Sequence, residues 1–151
     1  MAEQAGQALY LWPTWGRADG YAALAQYVST DALKLTPLAG AEQTLGAELT
    51  KEKKDRAVAQ ERFTSLQAAG IRYGHEPYRT LVSDRQQIRH PWWMTRDRIG
   101  TCVDLAVAYA AMCLEAEIAP LLAIDDTHAW VVLRPGAHTV GSDFYDSLEE
   151  E

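Results

Sequence analysis

Residues 102–116 read Cys-Val-Asp-Leu-Ala-Val-Ala-Tyr-Ala-Ala-Met-Cys-Leu-Glu-Ala, apolar at nearly every position and without proline or glycine. A run of good helix formers about four turns long predicts a helix. Gly100 breaks whatever precedes it, Thr101 is a suitable N-cap, and Asp104 stands three residues on, where a capping box needs it. Leu121–Ile124 is a short apolar run between Pro120 and Asp125-Asp126-Thr127, which reads as a strand and a turn. His128–Leu133 is rich in β-formers and closes on Arg134-Pro135-Gly136, so the two runs predict a hairpin. Thr139–Tyr145 offers a further strand. Alternation puts His128, Trp130 and Val132 on one strand face. If that face packs on the helix, the imidazole meets the helix start.

The first half is more polar and more broken. Tyr10–Gly16 reads as an extended aromatic segment, available to dock on the core or on a partner. Asp19 can cap a short helix reaching about Leu33, with Leu24, Tyr27 and Val28 on one side. Lys34–Gln43 holds Pro37 and Gly40 and reads as a linker. A long polar helix is expected from Ala41 or Thr50 to Ala69, stopped by Gly70. Its charged stretch Lys51–Arg56 is read as a solvated face, and Val58, Phe63 and Leu66 as a thin apolar side. Gly70–Pro91 is loop-rich, with 71–73 and 80–82 as short strands, and suits one wall of a cleft. Together these elements give an α+β fold, divided as an N-terminal appendage over 1–43 and a core over 44–151.

Composition narrows the functions. A chain of 151 residues suits one domain with a modest core. A net charge of -7 argues against nucleic acid, which needs a basic surface. The acidic end, Glu149-Glu150-Glu151, reads as a solvated terminus. No apolar run approaches membrane-spanning length, and the start lacks the basic and long apolar parts of a signal peptide. Two cysteines without a framework spacing fit a reducing cytoplasm. His75, His90, Cys102 and Cys113 lack zinc-ligand spacing, and there is no glycine-rich phosphate loop, so neither metal nor cofactor is expected.

The candidate chemistry lies at Cys102, the first helical position. Unpaired N–H groups and the helix dipole there favour a thiolate, and Arg96 and Arg98 upstream would add to the effect. Cys113, three turns on and mid-helix, reads as core. About 16 Å of helix between the two rules out a disulfide. His128 is the candidate base. A Cys–His pair needs a third group to orient the imidazole. Asp143 is the first choice and Asp146 the second, because Asp125 and Asp126 read as turn residues.

Arg98-Ile99-Gly100-Thr101-Cys102-Val103-Asp104-Leu105-Ala106, followed by His128-Ala129-Trp130-Val131-Val132, resembles the transglutaminase-like branch of the papain-like thiol enzymes. The match is nearest to a bacterial subgroup with Gly-Thr-Cys-x-Asp-Leu-Ala and a preceding segment like Gln86-Gln87-Ile88-Arg89-His90-Pro91. It spans roughly residues 60 to 145. The resemblance implies a Cys–His–Asp triad on an α+β core, with the nucleophile helix packed on an antiparallel sheet. Cys102 and His128 carry over directly. Family members often show Asp-Pro on the strand after the histidine strand, whereas this chain has Ser142-Asp143-Phe144-Tyr145. The resemblance suggests Gln87 as an oxyanion donor beside the Cys102 N–H, and Trp92 and Trp93 as cleft walls or simple packing. The implied activity is acyl transfer on an amide bond of a protein or peptide, most simply by a cysteine peptidase, with water or an amine as acceptor. The alternative is a catalytically inactive binding or scaffolding module of a larger bacterial protein.

Overall fold

A computed structural model describes residues 13–34, 36–38, 48–74, 85–125 and 127–137. Among the described residues the architecture mixes helices with three two-stranded sheets. Strand β1 (Thr14–Gly16) pairs antiparallel with β3 (Arg85–Gln87). Strand β2 (Arg72–Tyr73) pairs parallel with β4 (Ile99–Gly100). Strands β5 (Pro120–Ile124) and β6 (Ala129–Leu133) form the expected antiparallel hairpin, Ile124 opposite Ala129 at the turn. The helices are α1 (Lys51–Ala68), α2 (Pro91–Asp97) and α3 (Cys102–Glu115). The expected strands at 80–82 and 139–145 lie outside the described residues, as does the 43/44 division.

Helix α3 is the centre because it is apolar on every side, and such a helix is stable only when surrounded. Val103, Ala106 and Val107 pack with Trp15, Leu24, Ile88 and Ala129. Ala108, Ala111 and Met112 pack with Leu33, Leu38, Leu66 and Met94. Cys113 packs with Ala59 and Ile118. The four alanines between Ala106 and Ala111 keep the helix thin enough for neighbours on three sides. Residues 14–38 therefore supply four large core side chains to the same helix.

Several local expectations are revised. The helix foreseen from Asp19 to Leu33 is three 3₁₀ turns, Arg17–Asp19, Tyr21–Tyr27 and Asp31–Leu33. Gly20, at φ 82, breaks the first from the second. Asp19 accepts the Gly16 N–H and pairs with Arg85 instead of capping a long helix. Helix α1 begins at Thr50, whose hydroxyl accepts the Lys53 N–H, and ends before Gly70 at φ 66. Its buried stripe is Asp55, Ala59, Arg62 and Leu66, at helical spacing, so half of it is charged. Asp55 is thus not on a solvated face. Its carboxylate accepts Lys51 Nζ and the Gly136 N–H, both at 2.7 Å, which ties α1 to the far end of the hairpin. Phe63 is exposed and meets Tyr109 edge-on.

Helix α2 follows the loop-rich stretch that ends at Pro91, where no helix was expected. Pro91 suits the first helical position, His90 Nδ1 accepts the Trp92 N–H, and Met94 anchors the helix by complete burial. Arg98, left-handed at φ 53, ends it and turns the chain into β4. Gly100 lies so close to this anchor that an added Cβ would meet Met94 Sδ at 2.8 Å. Gly100→Ala is expected to lower unfolding free energy by about 1–3 kcal/mol through overpacking, as measured by urea denaturation.

Candidate functional site

Cys102 occupies the first position of α3, half-buried and outside any disulfide. The N-terminus beneath it is closed by a full capping box. The Asp104 N–H donates to Thr101 Oγ1 at 3.3 Å, and the Thr101 N–H donates to Asp104 Oδ2 at 2.9 Å. Asp104 does more than cap. Its Oδ1 accepts the Arg89 N–H and its Oδ2 accepts Arg89 Nη1, each at 2.8 Å. The two side chains are 0% and 3% exposed, so this is an ion pair sealed within the protein. It fixes the segment after β3 against the helix that carries the thiol. Burying two charges is tolerated here because the carboxylate is met by three N–H donors.

The glutamine at the cap is Gln86. Its Nε2 donates to Thr101 Oγ1 at 2.7 Å. Gln87 is the next residue on β3, on the other strand face by alternation. Arg96 does not serve the thiol either. Its guanidinium lies 4.0 Å from the Trp93 ring centroid and 5.1 Å from that of Trp92, and Nε pairs with Asp97. Arg98 is exposed, and its left-handed backbone makes the turn into β4. Trp93 lines a cleft of about 550 Å³ with Pro13, Tyr27, Ile88 and Pro91, whose lining includes neither Cys102 nor His128.

His128 stands just before β6, at the hairpin turn. Its N–H donates to Asp125 Oδ1 at 2.7 Å, and its carbonyl accepts the Asp125 N–H. Asp125 also accepts from the N–H and hydroxyl of Thr127. The backbone donors of Thr127 and then His128 hold its carboxyl below the usual carboxylate range. Asp125 is a turn residue, as its place in the sequence suggests.

The strand face is the reverse of the one that would bring His128 onto the helix. Ala129, Val131 and Leu133 pack on α3, while Trp130 and Val132 are exposed. The His128 ring is exposed and stacks on Trp130, centroids 6.3 Å apart. Both alternating sets are apolar, so hydrophobicity alone could not choose between them. Small Ala129 fits against the first turn of α3, where Trp130 would not. Ala129, the residue after His128, belongs to the apolar cluster against which Cys102 packs. Asp143 and Asp146 lie outside the described residues.

Tyr73 is the site residue that sequence reasoning missed. Strand β2 runs beside β4 and sets Tyr73 opposite Gly100, two residues before Cys102. Desolvation, then the neighbouring Cys102 charge, raises its hydroxyl above the ordinary tyrosine range. The only sequence signal was the glycine that follows it.

Cys113 is fully buried, as expected of a core residue. Burial pushes its thiol up to about 11, against smaller opposing effects from Tyr109 and Arg62. Among the described residues no three His, Cys, Asp or Glu side chains are grouped to hold a metal ion. Among them no helix is long and apolar enough to cross a membrane. Comparison of the chain with family models, curated proteins and solved structures finds no match.

Two outcomes follow from this geometry. Asp104→Asn takes the opposing charge from the buried Arg89 guanidinium and should cost about 3–5 kcal/mol, as read from urea denaturation. Cys113 keeps its proton in the folded chain up to about 11, whereas an ordinary thiol loses it near 9.0. Its contribution to stability is therefore complete below pH 9.0 and is lost as pH rises through about 11. Denaturation midpoints over that interval should fall less steeply in Cys113→Ala than in the parent chain.

Proposed function

We propose that the chain is a transglutaminase-like thiol enzyme that transfers acyl groups from an amide bond, most simply a cysteine peptidase. The supporting observation is Cys102: a half-buried cysteine at the first position of a helix whose N-terminus is closed by Thr101 and Asp104. A thiolate there is stabilised by the helix dipole, and the ion pair beneath keeps the helix end in place. Cys102 Sγ attacks the amide carbonyl carbon of a protein or peptide. The oxyanion is held by the Cys102 N–H. His128, next to Ala129 in the chain, takes the thiol proton and returns it to the leaving amine as the C–N bond breaks. The thioester then passes to water or to a second amine. Asp143, or in its place Asp146, is the proposed orienter of His128.

A second reading has its own support. His128 is exposed and stacks on Trp130, on the strand face turned away from α3. That arrangement favours a binding or scaffolding module on the same fold, with the Trp130 face as its contact surface.

Alkylation by iodoacetamide and cleavage of an unfolded protein substrate test both readings. In an enzyme, Cys102 reacts at least about tenfold faster than Cys113 near neutral pH. His128→Ala slows that reaction, and new amino termini appear with the parent chain but not with Cys102→Ala. Equal, sluggish labelling of both cysteines overturns the enzyme reading. Fast Cys102 labelling that ignores His128→Ala, with no amide cleaved, selects the module.

A further inference from the structure

The cleft of about 550 Å³ has no part in the proposed mechanism. Tyr27, the last residue of the second 3₁₀ turn, and Trp93 of α2 both line it, with Pro13, Ile88 and Pro91 as further apolar wall. Its volume lies in the range that holds a small organic molecule. The polar atoms of the lining are largely committed to the fold. The Pro13 carbonyl accepts the Ile88 N–H at 2.9 Å, and the His90 carbonyl accepts the N–H groups of Trp93 and Met94. The Pro91 carbonyl accepts the Thr95 hydroxyl, and His90 Nδ1 accepts the Trp92 N–H. A guest in this cleft is therefore held by ring faces and charge more than by hydrogen bonds. The charges narrow it further. Arg89 is met by Asp104 and its side chain is 3% exposed, so its charge is spent within the fold. A histidine nitrogen that accepts a hydrogen bond carries no proton, so His90 adds no positive charge. Asp31 is the remaining charged side chain of the lining among the described residues. It pairs with Lys34, but both side chains are more than two-thirds exposed, and a surface pair of this kind is weak.

We propose that the cleft lined by Tyr27, Trp93 and Asp31 binds a trimethylammonium group. Such a group carries a positive charge, donates no hydrogen bond and is attracted to aromatic faces. A primary ammonium would bring three N–H donors to a lining whose acceptors are mostly taken. The Trp93 ring already attracts a cation of the chain's own, the Arg96 guanidinium 4.0 Å from its centroid. The Asp31 carboxylate supplies the opposing charge at the exposed edge, and the net charge of -7 favours a cation at longer range. The site goes beyond the acyl-transfer reading and does not depend on it, since the lining includes neither Cys102 nor His128.

The test is calorimetric titration of the full chain with choline and with 3,3-dimethylbutan-1-ol, which has the same shape without the charge. Choline should bind about tenfold more tightly than the neutral alcohol. Tyr27→Leu should weaken choline about fivefold, and Tyr27→Phe, which keeps a ring, should restore it. Asp31→Asn alters one exposed atom, leaves the fold intact by circular dichroism, and should weaken choline about threefold while the alcohol is unaffected. A short peptide carrying trimethyllysine brings the same group on a polypeptide. Whichever of it and choline binds more tightly identifies the source of the group, and either one exceeding its neutral analogue supports the site. Cys102→Ala should bind choline as the parent chain does, so loss of the enzyme reading leaves this inference standing. Equal affinity for choline and the alcohol overturns it, because the cleft would then recognise shape alone. So does the absence of binding by both trimethylammonium probes, or a folded Tyr27→Leu chain that binds choline as the parent does.

Discussion

The buried contact between Asp104 and Arg89 is the constraint on which the arrangement depends. One carboxylate receives the Thr101 N–H, the Arg89 N–H and the Arg89 guanidinium. It therefore closes the helix end, holds the segment after β3, and neutralises a cation that otherwise could not be buried. Thr101 and Gln86 extend the same network to the strand that pairs with β1. A charged network of this kind tolerates little displacement, because each donor lost leaves a buried charge less well met. This is how a short loop and a helix start are held rigid enough to present one side chain, Cys102, at a defined place.

Around that fixed point the chain uses small residues to bring larger ones close. Gly74 and Gly100 let two short strands approach and set Tyr73 opposite Gly100. Ala129 lets the hairpin settle on the first turn of α3 and sends Trp130 outward. The alanines of α3 allow the N-terminal turns, α1 and the hairpin to pack on one helix at once. The same thinness places Cys113 under complete cover. The two cysteines thus differ by position on one helix: one at its charged end and partly open, the other deep in apolar contact.

Much of the second half was legible beforehand. The α3 cap, its length, the hairpin limits and the inert character of Cys113 followed from local rules, since a helix cap and a two-strand turn are made by neighbours in sequence. The N-terminal third was less legible, because Gly20 breaks a helix whose apolar spacing looked continuous. Helix α2 was hidden by its length, seven residues carrying one buried anchor. Asp55 looked like one charge among many until Gly136, 81 residues away, came to its carboxylate.

The sequence by itself determined that a cysteine starts an apolar helix behind a Thr–Asp cap, and that a histidine closes the turn before the last described strand. Those are short-range facts, carried by backbone hydrogen bonds within three or four residues. Only the tertiary structure decided what meets the helix end: Tyr73 opposite Gly100 on a distant strand, Gln86 on the Thr101 hydroxyl, and Arg89 on the Asp104 carboxylate. It also decided which face of β6 the helix covers. Both faces of that strand are apolar, so the choice rested on the fit of Ala129 against α3, a matter of shape between segments far apart in sequence.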